Sequence, residues 1–530
     1  MIKAINDHVE ERHRWNNYYF NYFQINIFFT KTMEDIWLYT SLTLVFLLFA
    51  FKLLLHRRRN HGNLPPSPPA FPVLGHLHLM KLPFHRALQT LSEKYGPIFA
   101  LRLGSRPVVV VSSPSAVEEC FTKNDIVLAN RPHFLTGKHL CYNHTTVEAL
   151  PYGEDWRNLR RLCSIEILSS NRLNMFLGIR SDEVKLLLRR LSQDSRDKFA
   201  KVELKPLFSN LTFNTMTRTI AGKRYHGEEV GTEEVKQFRE IIGEIFELAG
   251  NSNPMDYLPI LEWVDYGGYK KKLMKISRRT EAMLQYLIDE HRNSKKRGLE
   301  DNTTIDHLLS LQKSEPEYYT DEIIKGLVLI LILGGSESTA VTIEWAMALL
   351  LNHPDALNKA REEIDIHVGQ GRLMEESDLS KLGYLQNVIS ETLRLCPAAP
   401  LLLPHMTSSH CQVGGFDIPK GTMLITNAWA IHRDPKAWDN PTSFKPERFN
   451  SEENNNYKLF PFGLGRRACP GSGLANKVIG LTLGLLIQCY EWKRVSEKEV
   501  DMAEGLGLTM PKAVPLEAMC KARDIIKMVV

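Results

Sequence analysis

Thr320–Pro354, TDEIIKGLVLILILGGSESTAVTIEWAMALLLNHP, limits the architecture more than any other stretch of this chain. Thr320 can cap a helix, Asp321 and Glu322 suit its positive end, and Asn352-His353-Pro354 stops it. One continuous helix there is ~45 Å long at ~1.5 Å per residue. It is apolar nearly all round, so it must run through a core rather than along a surface. A chain of 530 residues is long enough to bury such a helix. Helical patterns dominate elsewhere: a helix capped by Ser113, an amphipathic run over Ser181–Ser195, and another from Glu233 to Ala249. Ile98–Ser113 instead reads as a β-hairpin around Gly104-Ser105. The pattern predicts a mainly α domain with small β-sheets, one fold rather than two, over residues 76–530. No internal repeat is visible.

The middle of the long helix is its least helical part. Gly334 and Gly335 each cost about 1 kcal/mol relative to Ala. Ser336, Glu337, Ser338 and Thr339 then place an acid and three hydroxyls inside an apolar helix. Two readings stand open. The hydroxyls bond back to i−4 carbonyls while Glu337 faces water, or the wall is thinned for a ligand, with an acid and an alcohol able to relay protons. Glu391 and Arg394 share a face at i, i+3. Arg448 lies between aromatics in FKPERF, and Trp156 and Arg160 share a face at i, i+4. Taken singly, each is as well explained by an ordinary surface pair or an amphipathic helix.

The eight cysteines include no C-x-x-C pair, which argues against zinc knuckles and thioredoxin-like chemistry. They are too sparse for a disulfide scaffold, so a reducing compartment fits. Cys469 differs from the rest. It lies in PFGLGRRACPG, which fits F-x-x-G-x-R-x-C-x-G with Phe462, Gly465, Arg467, Cys469 and Gly471. Glycines let a backbone loop press against a flat cofactor, and nearby amides can soften charge on a sulfur. A cysteine thiolate is one axial ligand of haem iron, and it pushes electron density so as to favour O–O cleavage.

Ile36–Leu55 is apolar apart from Lys52 and a few hydroxyls, and about 20 such residues span a hydrocarbon layer. Lys52 can snorkel. The basic residues His56–Arg59 follow and favour the cytosolic side. No small-residue cleavage site follows, which argues against a signal peptide. Residues 56–75 form a basic, proline-rich hinge with prolines at 65, 66, 68, 69 and 72, which fix φ and remove donors. Residues 1–32 are an atypical extension rich in aromatics and Asn. They are either an alternative start upstream of Met33 or a disordered tail. The net charge of +5 is too small, and basic–aromatic interleaving too absent, for a nucleic-acid partner.

Taken in order, the anchor with its proline hinge, W-x-x-x-R, G-G-x-E-S-T, E-x-x-R, and P-E-R-F followed by the cysteine loop resemble a cytochrome P450. More narrowly, LPPSPPAFPVLGHL, NRPHF, AIHRDPKAWDNPTSFKPERF and LTMPKAVPLEAMC resemble the plant microsomal group containing isoflavone 2′- and 3′-hydroxylases. The resemblance implies haem b (iron protoporphyrin IX) with Cys469 as its metal ligand. It implies Trp156, Arg160, His405 and Arg467 at the haem propionates, with Phe462, Gly465 and Gly471 in the cofactor loop. Glu391, Arg394 and Arg448 would form a buried structural network. Glu337 and Ser338 would be the acid–alcohol pair, with Thr339 able to share the role. The family usually has threonine where this chain has Ser338. Serine keeps the hydroxyl but loses the methyl that fixes its rotamer, which leaves room for loss of reducing equivalents as peroxide. The family also often has alanine where Gly334 stands.

The implied activity is a monooxygenase using O2 and electrons from NADPH, delivered by a membrane-bound cytochrome P450 reductase, since no flavin or nicotinamide fingerprint is present. Arg466 could belong to a basic docking rim. The expected substrate is a small phenolic plant metabolite of flavonoid, isoflavone, xanthone or lignan type, hydroxylated or oxidatively coupled. Its pocket walls would come from residues 134–146, 331–339, 398–403 and 507–509. A reductase-independent haem-thiolate isomerase or lyase, or a non-catalytic haem protein, are the alternatives. Retention of Glu337 and Ser338 and the lack of a signalling domain disfavour them. The implied location is the endoplasmic reticulum membrane, single-pass, with the domain facing the cytosol. The N-glycosylation triplets at Asn143, Asn210 and Asn302 are then read as chance.

Overall fold

The computed structural model describes residues 36–50, 62–226, 233–250, 253–296, 302–450 and 457–529. The 1–32 extension, Met33, Phe51–Leu55 and the basic run His56–Arg59 lie outside them. The chain divides into two units, Met1–Asn63 and Leu64–Val530.

In the first unit, Ile36–Ala50 is one helix. Its large apolar side chains are 53% to 70% exposed, from Phe49 at the low end to Trp37 and Phe46 at the high end. The hydroxyls of Thr40, Ser41 and Thr43 all bond back to carbonyls of the same helix, at 2.8, 2.8 and 2.7 Å. Its polar side chains therefore make no demand on a surrounding solvent.

The second unit is mainly helical. Its principal helices are α1 (Glu154–Leu162), α2 (Leu177–Ser195), α3 (Lys205–Ala221), α4 (Tyr269–Lys296), α5 (Asp321–Asn352), α6 (Gly383–Leu395) and α7 (Ser472–Cys489). Thr320 caps α5 by accepting from Ile323 N, and the helix stops at His353 before Pro354, as the sequence predicts. α5 and α7 are long and apolar enough to cross a membrane, but both are mostly buried inside this unit. α3 packs along α5, and α4, α6 and α7 also contact it, so α5 is the central strut of the core. Gly335 permits the α3 contact, because a Cβ there would fall 2.5 Å from Met216 Sδ.

Among the described residues, nine short strands form three small sheets. β1 (Ile98–Leu103) and β2 (Arg106–Val111) make the expected hairpin, turning at Gly104 with φ +57°. β2 pairs parallel with β7 (Met423–Thr426), which pairs antiparallel with β4 (His405–Met406). β3 (Ala200–Glu203), β9 (Glu517–Ala522) and β8 (Tyr490–Lys493) form the second sheet. β5 (Cys411–Val413) and β6 (Phe416–Ile418) form the third. Helices hold the core while the sheets fix its margins.

The proline-rich stretch is packed onto this unit. Pro65 and Pro68 are buried. Ala100 N donates to Pro66 O at 2.8 Å, and His76 Nε2 meets Pro68 O at 2.8 Å. The compact unit thus begins at Leu64, earlier than residue 76, because carbonyls freed by the proline backbone are taken up by β1 and His76.

Candidate active site

The loop before α7 is built by hydrogen bonds and glycine geometry. Cys469 N donates to Phe462 O at 2.8 Å, and Ala468 N to Gly465 O at 3.2 Å, which folds the loop back on itself. Gly465 has φ +66°, and a Cβ there would fall 2.3 Å from Asp125 Oδ1. No other residue type fits both demands. Asp125 also accepts from Arg466 N at 3.2 Å and pairs with its guanidinium at 3.4 Å. Arg466 thus stays exposed while paired with Asp125.

Cys469 is set apart from the other seven cysteines. Six of those are buried and Cys141 is half-buried, whereas Cys469 is open on one side. Burial around the sulfur pushes its thiol up, opposed by the Gly471 amide, the Arg160 charge and the Ser472 amide. Those amides start α7, so the sulfur faces a positive helix end. A Cβ on Gly471 would stand 3.7 Å from Sγ, in ordinary contact.

Around it lies a cluster rich in positive charge. Arg467 is pushed down to about 9 by burial and by Arg131 and Arg160. Arg131 is pushed down to about 10 by burial, with Glu148 opposing. Burial also lowers Arg160, which has no carboxylate ion-pair partner among the described residues. Glu148 is half-buried, accepts from Thr146 Oγ1 at 2.6 Å, and has its Oε2 shut away without a partner. His405 is buried on β4, its Nδ1 2.8 Å from Leu128 O, and burial holds it well below its ordinary range. Two donors are engaged by loop carbonyls. Trp156 Nε1 donates to Val147 O at 2.9 Å. Arg467 is spread over Ala129 O at 2.7 Å, Val147 O at 3.0 Å and Leu150 O, with its guanidinium 4.4 Å from the Trp156 ring centre. Buried loop carbonyls need partners, and these side chains supply them.

On α5 both readings of the glycine–hydroxyl segment hold in part. Ser336 and Ser338 bond back to Ile332 O and Gly334 O, at 2.6 and 2.8 Å. Glu337 is half-buried: its Oε2 is shut away without a hydrogen-bond partner, and burial raises the carboxyl. Thr339 is buried. A Cβ on Gly334 would meet nothing within 4 Å, so the helix wall is open there.

The E-x-x-R and P-E-R-F residues meet in one network around the fully buried Glu391 and Arg394. Arg394 grips Glu391 through Nε at 2.7 Å and Nη2 at 2.9 Å, with both side chains 0% exposed. Arg448 Nε and Lys445 N add bonds to Glu391 Oε1 at 3.0 and 2.9 Å. Arg394 Nη1 donates to His432 O at 2.6 Å, and His432 Nε2 accepts from Phe460 N at 3.1 Å. The network thereby reaches the first residues of the cysteine loop. The surface-pair reading of Glu391 and Arg394 is overturned by this burial.

The cytochrome P450 family profile matches residues 65–516. This chain belongs to the cytochrome P450 family. It is 60% identical over 494 residues to cytochrome P450 81Q32 of Catharanthus roseus, covering 93% of this chain and 98% of that protein. It is 54% identical over 493 residues to an isoflavone 3′-hydroxylase of Medicago truncatula (92% and 98%). It is 52% identical over 503 residues to a (+)-piperitol/(+)-sesamin synthase of Sesamum radiatum (94% and 99%). As a cytochrome P450 it is a monooxygenase whose cofactor is haem iron, with electrons from NADPH through a reductase.

The residues present fit that cofactor. Among the described residues, one open cysteine on two amides faces a cluster with three guanidiniums and a single carboxylate, Glu148. That arrangement is short of negative charge, which an iron ligand and an anionic cofactor edge would supply. Sequence reasoning passed over two of its members. Arg131 was visible only inside NRPHF, and Glu148 carried no motif at all.

Proposed function

We propose that this cytochrome P450 is a membrane-anchored monooxygenase that hydroxylates, or oxidatively couples, a planar phenolic plant metabolite of flavonoid, isoflavone, xanthone or lignan type. The observation that carries the reading is Cys469: the one open cysteine, held on the Gly471 and Ser472 amides beside Arg160. In this reading Cys469 ligates the iron, and Phe462, Gly465 and Gly471 shape the loop beneath it. Arg160, Arg131, Arg467, His405 and Trp156 hold the anionic edge. Haem so ligated supplies the activation of O2.

The chain's own residues would then manage protons and water. Glu337, raised by burial, keeps its proton to higher pH than an exposed carboxyl does and can give it up on the open side of α5 beside Gly334. Ser338 donates its hydrogen to Gly334 O, which leaves its oxygen lone pairs free to accept. Thr339 is the adjacent hydroxyl. Glu391, Arg394 and Arg448 act structurally, by fixing the approach to the cysteine loop. The names of the isoflavone hydroxylase and sesamin synthase relatives support a planar phenolic substrate.

The layout that goes with this reading is a 1–32 extension, an anchor over 36–55, a basic and proline-rich segment over 56–75, and the haem domain to residue 530. The helix Ile36–Ala50, with exposed apolar side chains and internally satisfied hydroxyls, supports an anchor in the endoplasmic reticulum membrane. The test is turnover in microsomes with a plant reductase, offering isoflavones and lignan-type phenols. NADPH-dependent products with one added oxygen, or a new ring, are expected. Product formation that proceeds equally well without NADPH would overturn the reading in favour of an isomerase or lyase.

A further inference from the structure

The C-terminal segment Glu504–Leu516 runs along one face of α5 and is tied down at both ends. At its start Glu504 takes hydrogen bonds from His85 at 2.9 Å, Arg86 at 2.8 Å and Trp429 Nε1 at 3.0 Å. At its far end Leu516 N donates to Glu344 Oε1 at 2.9 Å. Between them Met510 O accepts from Trp345 Nε1 at 2.8 Å, and Met510 N donates to Ala398 O at 2.9 Å. Glu344 and Trp345 are seven and eight residues beyond Glu337, which places all three on one stripe of the helix. The strap therefore lies against the stripe that carries Glu337, and Thr509 is the hydroxyl it brings there.

Glu337 Oε2 and Thr509 Oγ1 are both buried, and neither has a hydrogen-bond partner. One is an acceptor, or a donor when protonated; the other is a hydroxyl that does either. Two complementary orphans side by side are satisfied by a small turn of either side chain. Ser338 cannot donate to the carboxylate, since its hydrogen goes to Gly334 O. Resting on the proton role given to Glu337 above, we propose that Thr509 is the positioning residue for Glu337. The strap presents its hydroxyl to the carboxyl and sets that group's orientation and readiness to release a proton. The acid's partner is thus a C-terminal threonine rather than its helix neighbour. In keeping with this, burial raises the Glu337 carboxyl while Thr509 and the more distant Lys205 oppose that rise.

The test uses the full-length holoenzyme and the Glu337 carboxyl band in infrared difference spectra, identified by its loss in Glu337→Gln and titrated with pH. Thr509→Val removes the hydroxyl that favours the ionised form, so the midpoint is expected to move up. Thr509→Ser is expected to restore it, and Thr509→Ala supplies a second hydroxyl-free variant should the valine fold poorly. In turnover with reductase, the fraction of NADPH recovered as product should shift its pH profile in the same direction. An unmoved midpoint in both hydroxyl-free variants, or Thr509→Ser shifted as far as Thr509→Val, would overturn the assignment. Wild-type coupling in Glu337→Gln would instead overturn the proton role of Glu337 itself, and the two failures are therefore distinct.

Discussion

Replacing Glu391 by alanine tests whether the buried network holds the cysteine loop in place. Glu391 is 0% exposed and accepts from two guanidiniums and one backbone amide. The substitution strands Arg394, also 0% exposed, and removes the anion facing Arg448, which is 10% exposed. Removing one partner of a buried pair costs about 3–5 kcal/mol, since the remaining charge has no compensation. Arg394 keeps its bonds to His432, Pro441 and Ser443 carbonyls, which holds the loss near ~4 kcal/mol rather than higher. A unit of this size has an unfolding entropy of ~1 kcal/mol per kelvin, so the thermal midpoint should fall by ~4 °C. The assay is circular dichroism at one fixed scan rate, since large proteins unfold irreversibly, with cofactor retention followed in parallel. Glu391→Gln keeps the shape and one acceptor, so it should fall between alanine and wild type. An alanine variant within ~0.5 °C of wild type, against the ~4 °C expected, would refute the reasoning.

Other expectations follow from single contacts. Gly335→Ala should destabilise by about 1–3 kcal/mol through overpacking against Met216, whereas Gly334→Ala, with open space, should stabilise by up to about 1 kcal/mol; denaturation midpoints of the pair compare them directly. Gly465→Ala should lower cofactor incorporation sharply, read as haem per protein, because its Cβ meets Asp125 at a positive φ. Burial alone would raise Glu504, but His85 and Arg86 outweigh it and hold the carboxyl at about 2. Its folded value is depressed, so its contribution of roughly 3 kcal/mol is present above its unfolded value and lost as pH falls through the folded one. Unfolding midpoints between about pH 5 and pH 2 should therefore show a flatter acid limb in Glu504→Gln.

Local rules made much of this legible. Thr320 and Pro354 bound α5, and Gly104 turns the hairpin, because caps and turns are decided by neighbours in sequence. The cysteine loop was legible for the same reason: Gly465, Cys469 and Gly471 act within one turn of chain. What the sequence left open depends on distant partners. Glu391 and Arg394 alone look like a surface pair, and only packing against His432 and Phe460 buries them. Loop carbonyls at 129, 147 and 150 take up Trp156 Nε1 and the Arg467 guanidinium, and those partners lie outside the motifs that carry the two residues. The proline stretch reads as a stiff linker outside the domain because its contacts, Ala100 and His76, supply no pattern of their own. Thr509 had no motif, since its importance comes from a strap that begins at Glu504 and ends against Glu344.

The central claim is thiolate ligation by Cys469, and the reduced carbon-monoxide difference spectrum tests it most directly. The chain, expressed in microsomes, should give the strongly red-shifted Soret band of a thiolate-bound haem, and Cys469→Ala should abolish that band while leaving the protein folded by circular dichroism. A well-folded wild-type protein without the band, or a Cys469→Ala variant that keeps it, would contradict the account.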